Sequence, residues 1–278
     1  MNKSISLPDG RRLGYAEYGV PNGKPILFFH GSPGSSLIHA DMAETATECG
    51  LRLIAVDRPG YGLSDAQQGR TFFSWADDIS ALTDALGVET FSIIGFSGGT
   101  PYPLACAFRY PNRVNKIALV GALAPLDAHG VMVDMSPMVS GLYALAQANS
   151  GELRATFAAV APTANALLGA MSASAGEWDK KVLLDHATSF ELEYARTLLS
   201  GTEGLASDFI LNAGDWGFPL AGIKTEAHLW SGTLDQNTPP AMTHFLASQL
   251  SNSRPHVLQN EGHFVLYGHW DEILKSVE

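Results

Sequence analysis

Apolar residues occur along this chain in two kinds of run. Near the start they alternate with polar residues, in Ser4 to Leu7 and Arg12 to Tyr18, with Pro8-Asp9-Gly10 between them. Period-two alternation around a Pro/Gly turn predicts an antiparallel hairpin. Further on the alternation disappears. Ile26 to Phe29, Leu53 to Val56, Phe91 to Ile94 and Ile117 to Val120 are apolar throughout or nearly so. Such runs suit strands buried on both faces, as in a parallel sheet. Stretches of helical length separate them, around Ser36 to Cys49, Ser74 to Leu86 and Thr100 to Tyr110. Two further strands, Ala227 to Ser231 and His256 to Gln259, flank a helix from Pro240 to Leu250, and a last helix lies near Trp270 to Val277. Strand–helix alternation predicts an α/β fold with a mostly parallel sheet covered by helices.

The segment 124–215 breaks this rhythm. It is rich in Ala, Leu and Met, has no convincing strand, and carries Gly, Pro and Ser at helix-length intervals. It is expected to be a helical cap inserted into a core formed by 1–123 and 216–278. The insertion follows a strand's carboxyl end, where open α/β sheets place their ligands.

Composition narrows the partners. Hydrophobic residues make up 46% and charged residues 16% of 278, enough for a sizeable core, and the net charge is −11. Nucleic-acid phosphates need a basic surface, so nucleic acid is excluded as a partner, and anionic membranes are disfavoured. No apolar run is long enough to span a bilayer, and residues 1–10 lack a signal-peptide core. Cys49 and Cys106, both expected in helices, make no disulfide framework. A cytoplasmic protein with a small-molecule substrate is expected.

The chemistry centres on Gly95-Phe96-Ser97-Gly98-Gly99, which follows one apolar strand and opens a helix. The pattern G-x-S-x-G in that setting is a nucleophile elbow. The turn is so tight that its central residue is strained and its flanks must lack side chains. A serine hydroxyl needs a base to take its proton and a third group to orient that base. His263, in the loop leaving the last strand, is the candidate base. Asp235, after the strand Ala227 to Ser231, is the candidate orienting carboxylate, with Asp208 and Asp215 as weaker rivals in or beside the cap. An oxyanion would rest on the backbone N–H groups of Gly98 and Ser32, the latter in His30-Gly31-Ser32-Pro33-Gly34-Ser35; Pro33 has no N–H to give. Phe96 and Phe264, beside nucleophile and base, are expected to line the substrate site. Apolar cap residues such as Met135, Met138, Leu142, Leu145, Phe157, Leu167 and Trp178 form either a pocket or the cap's own core. No cofactor or metal is expected.

Together, the elbow, the His-Gly loop, the order Ser, Asp, His, and the tract Asp57-Arg58-Pro59-Gly60-Tyr61-Gly62-Leu63-Ser64 resemble the α/β-hydrolase superfamily. The resemblance spans nearly the whole chain. It implies eight strands, the second antiparallel, and a lid over the serine. Serine at position 97 sets the chain apart from relatives with an aspartate nucleophile, such as haloalkane dehalogenases and epoxide hydrolases. Proline iminopeptidases resemble it in the His-Gly-x-Pro-Gly loop, but their elbow usually reads G-G-S-W-G. The resulting expectation is a carboxylesterase for small to medium apolar acyl esters. Carbon–carbon bond hydrolase, aminopeptidase, perhydrolase and a non-catalytic ligand receptor are the alternatives, because the fold hosts many chemistries.

Overall fold

A computed structural model describes residues 2–278. It contains one eight-stranded sheet. The strands are β1 Asn2–Ser6, β2 Arg12–Gly19, β3 Lys24–Phe29, β4 Leu51–Val56, β5 Phe91–Phe96, β6 Val114–Val120, β7 Glu226–Gly232 and β8 Ser253–Leu258. Their spatial order is β1-β2-β4-β3-β5-β6-β7-β8. β2 runs antiparallel to both of its neighbours, and every other pairing is parallel.

The unalternating runs belong to the central strands, and the pleat explains why. Successive side chains point to opposite faces. Leu27, Phe29, Ile54, Val56 and Ile93 enter the core on one side, whereas Ile26, Phe28, Leu53, Ala55 and Ile94 enter the core on the other. Helices α2 Phe72–Ala85, α3 Pro101–Arg109 and α10 Pro240–Gln249 cover the first face. Helices α1 Ala40–Glu48, α11 Val265–Gly268 and α12 Trp270–Ser276 cover the second.

Local signals set the helix ends. Thr71 and Ser74 form a reciprocal capping box at the start of α2, with each side chain accepting the other's backbone N–H. The stretch expected to be helical from Ser36 begins only at Ala40. The Ser36 N–H is instead held by the Asp57 carboxylate at 2.6 Å, and the Tyr18 hydroxyl donates to the Ser36 carbonyl, so 36–39 stay out of the helix.

Between β6 and β7 the chain carries six α-helices: α4 Pro137–Ala148, α5 Ser150–Val160, α6 Ala164–Ser174, α7 Glu177–Asp185, α8 Ala187–Thr197 and α9 Glu203–Asn212. They divide between the two cores. Tyr143, Phe157 and Phe209 extend the first, while Leu167, Leu183 and Phe190 extend the second. The two groups meet above the loops leaving β3, β5 and β8, and the space between them is a cavity of about 270 Å³. Among the described residues, no helix is long and apolar enough to cross a membrane.

Candidate active site

The elbow has the geometry its sequence demands. β5 ends at Phe96, and Ser97 follows with φ +53°, a left-handed conformation rare for a residue with a side chain. Three glycines make this possible. A Cβ on Gly95 would lie 2.7 Å from the Pro103 ring of α3, one on Gly98 would lie 2.7 Å from Ser32 Oγ, and one on Gly99 would overlap the His30 carbonyl. The turn therefore lets strand, helix and the loop after β3 approach closely, and presents Ser97 at the cavity floor.

Three sequence-predicted residues from three elements meet there. The Ser97 hydroxyl donates to His263 Nε2 at 2.8 Å, and His263 Nδ1–H donates to Asp235 Oδ2 at 2.9 Å. A carboxylate can only accept, so the imidazole proton sits on Nδ1 and leaves Nε2 free to accept. Asp235 is itself fixed on both oxygens. Its Oδ1 accepts the N–H groups of Asn237 and Thr238, each at 2.8 Å, and its Oδ2 also accepts the Thr238 hydroxyl at 2.9 Å. Burial opposes charge on His263, but Asp235 and, more weakly, Asp179 outweigh it and hold the imidazole pKa above its ordinary value.

Gly98 and Ser32 lie side by side, and both are gripped by α9. Asn212 Nδ2 donates to the Gly98 carbonyl at 3.1 Å, and the Ser32 hydroxyl donates to Asp208 Oδ2. Asp208 and Asn212 are four residues apart and so share one helix face. Asp208 is no rival for Asp235. It is fully buried and ion-paired with Arg58 and Arg70, and it accepts hydrogen bonds from the Tyr61 and Tyr102 hydroxyls at 2.7 and 2.6 Å. Burial would raise its pKa, yet the two guanidiniums hold it well below the usual carboxylate range. Arg58 also donates to the carbonyls of His30 and Gly31, bracing the loop that carries Ser32. Asp215 is exposed, and among the described residues its carboxylate accepts only from the nearby Gly217 N–H.

Phe96 and Phe264 both line the cavity, as do Met138, Leu142, Phe157 and Leu167. Met135, Leu145 and Trp178 do not; they pack into the cores instead. Further participants escaped the sequence reading. Thr238 braces Asp235 from three residues further on. Glu193 of α8 is a buried carboxylate in the cavity wall, with His39 Nε2 at 3.7 Å. Asp179 of α7 accepts the Phe264 N–H at 3.0 Å, beside the base. Nothing local in the sequence marks the last two, because their meaning depends on how the inserted helices fold back.

Comparison with known proteins agrees with this architecture. The family described as alpha/beta hydrolase fold matches residues 24–269. A non-heme chloroperoxidase of Streptomyces lividans is 34% identical over 125 residues, 44% of this chain and 45% of the relative. The chain thus spans less than half the length of the first curated relatives it matches. A 2-hydroxymuconate semialdehyde hydrolase of Pseudomonas putida is 26% identical over 264 residues, 92% of this chain and 86% of that protein. Among solved structures, an enol-lactonase from Burkholderia xenovorans LB400 superposes with a TM-score of 0.74 at 21% identity, covering 99% of this chain and 98% of that one. With a family match over most of its length and the sheet order, elbow and inserted helices described above, this chain belongs to the α/β-hydrolase fold family.

Proposed function

We propose that this chain is a serine hydrolase, a carboxylesterase for small to medium apolar acyl esters, with Ser97 as nucleophile, His263 as base and Asp235 as the orienting carboxylate. The observation that carries the reading is the unbroken hydrogen-bond relay from Ser97 Oγ through His263 to Asp235 at the floor of a largely apolar cavity. Residues 124–215 serve as a cap that closes this cavity over the serine, and 1–123 with 216–278 form the catalytic core.

In the acylation step His263 Nε2 takes the Ser97 proton as Oγ attacks the ester carbonyl. The carbonyl π electrons move to oxygen, and the oxyanion rests on the N–H groups of Gly98 and Ser32. Each such donor is worth about 3 kcal/mol of transition-state stabilisation. The imidazolium, stabilised by Asp235, then protonates the departing alkoxide. Water repeats the cycle on the acyl-enzyme and regenerates Ser97. Phe96 and Phe264 pack against the acyl chain. Acylation and deacylation use protein groups and water, on a small-molecule substrate in the cytoplasm.

Hydrolysis of a carbon–carbon bond by the same groups is the second reading, favoured by the length of the match to the Pseudomonas putida hydrolase. A chain-length series of p-nitrophenyl esters, assayed with Ser97→Ala alongside, separates the two. Turnover that vanishes in the variant, with an optimum at short to medium acyl chains, is the expected result. No turnover above the variant would point to carbon–carbon or peptide substrates, a perhydrolase, or a receptor that binds without reaction.

A further inference from the structure

Two carboxylates bear on His263, and only one of them belongs to the relay. Asp235 comes from the loop after β7. The other is Asp179, from the third residue of α7 in the inserted helices. Asp179 is 5% exposed, and no lysine or arginine pairs with it among the described residues. Its carboxylate faces the His263 loop instead. Oδ1 accepts the Phe264 N–H at 3.0 Å. The residue before His263 makes room for it, since a Cβ on Gly262 would meet Asp179 Oδ1 at 2.5 Å. A carboxylate buried against the backbone N–H that follows the base is well placed to hold that loop, and its charge favours the positive form of the nearby ring.

We infer that Asp179 is a positioning residue for the base: through it the inserted helices hold the 262–264 loop and bias His263, so that the reactivity of Ser97 depends on α7 being seated. The inference rests on the functional reading above. Electrostatics and geometry act in separable ways. Asp179 and Asp235 are the charged groups facing His263, and both stabilise its imidazolium. Burial pushes the Asp179 carboxyl up, while His263 and the Phe264 N–H offset this in part. Loss of the Asp179 charge must therefore lower the His263 pKa and move the rise of reactivity to lower pH. Loss of the acceptor must loosen the loop and reduce reactivity at every pH.

Two variants separate these effects. Asp179→Asn keeps an oxygen to accept the Phe264 N–H but removes the charge, whereas Asp179→Ala removes both. His263 is titrated by NMR in each variant and in the native protein, its signal identified by its loss in His263→Gln. The rate of Ser97 labelling by an alkyl phosphonofluoridate is followed over the same pH range. In Asp179→Asn the midpoint should fall by about half a pH unit or more, with plateau reactivity retained. In Asp179→Ala the plateau labelling rate should also fall about tenfold or more, as expected when a base is displaced by a fraction of an ångström. An unchanged midpoint in Asp179→Asn would overturn the inference, even if Asp179→Ala failed to fold. A folded Asp179→Ala with native plateau reactivity would overturn it as well. The titration needs no substrate. Failure to label Ser97 in the native protein would therefore count against the serine-hydrolase reading, while the histidine midpoints would still judge Asp179.

Discussion

Replacing Asp235 by Asn changes one atom, and the consequence follows from the donors around it. Oδ1 faces two backbone N–H groups at 2.8 Å, so an amide nitrogen placed there would oppose two donors. Leaving both N–H groups unsatisfied costs about 1–3 kcal/mol each. The asparagine must therefore put its oxygen at the Oδ1 position and its NH2 at Oδ2, against His263 Nδ1. That NH2 donates, so Nδ1 becomes the acceptor and the ring proton moves to Nε2. Nε2–H then faces Ser97 Oγ, 2.8 Å away, and no base is present to take the hydroxyl proton. Flipping the amide restores the tautomer only by orphaning the two backbone donors, so neither orientation recovers activity cheaply. The loss in kcat should be about 10⁴-fold, roughly 5 kcal/mol. Initial rates of p-nitrophenyl butyrate hydrolysis, with thermal unfolding as a control for folding, measure it. A folded Asp235→Asn enzyme within tenfold of native kcat would refute both the tautomer argument and the role given to Asp235.

Three further outcomes are expected. Asp208→Ala leaves Arg58 and Arg70 buried without their partner and should destabilise the fold by about 3–5 kcal/mol in urea unfolding; a loss under 1 kcal/mol would show the pair to be dispensable. Because the imidazole must be neutral to act and its pKa is raised, kcat/KM should climb with pH along a limb centred above the ordinary histidine value of about 6.5; a midpoint below it would contradict the role of Asp235 in holding charge on the ring. Glu193→Leu removes the carboxylate from the cavity wall and should raise kcat/KM several-fold for p-nitrophenyl hexanoate relative to the acetate, whereas an equal fall for both esters would mean that Glu193 only maintains the shape of the cavity.

Much of this site was legible before folding because its parts are local. The elbow needs small residues at fixed offsets around one serine, and Gly95, Gly98 and Gly99 supply them within five positions. The central strands declare themselves by lacking alternation, because each feeds a core on both faces. Asp235 and His263 could be placed because each follows an apolar strand, and strand ends converge on one edge of a parallel sheet. The inserted helices are different. Their polar residues at Asp179, Glu193 and Asn212 read as ordinary helix surface, and only the packing of α7, α8 and α9 turns them toward the base, the cavity and the Gly98 carbonyl. The sequence alone leaves Asp208 as a rival to Asp235, because the two arginines that claim it lie 150 and 138 positions away. The helix expected from Ser36 was overdrawn for a similar reason, since Asp57 captures the Ser36 N–H across the sheet edge.

Ser97 should carry the acyl group during turnover. Mixing the protein with p-nitrophenyl butyrate, quenching in acid within the first turnovers and mapping the peptides by mass spectrometry tests it directly. A butyryl increment is expected on the peptide containing Ser97, absent in Ser97→Ala and absent from every other peptide. Sustained turnover with Ser97 unmodified, or an acyl group found on another residue, would contradict it.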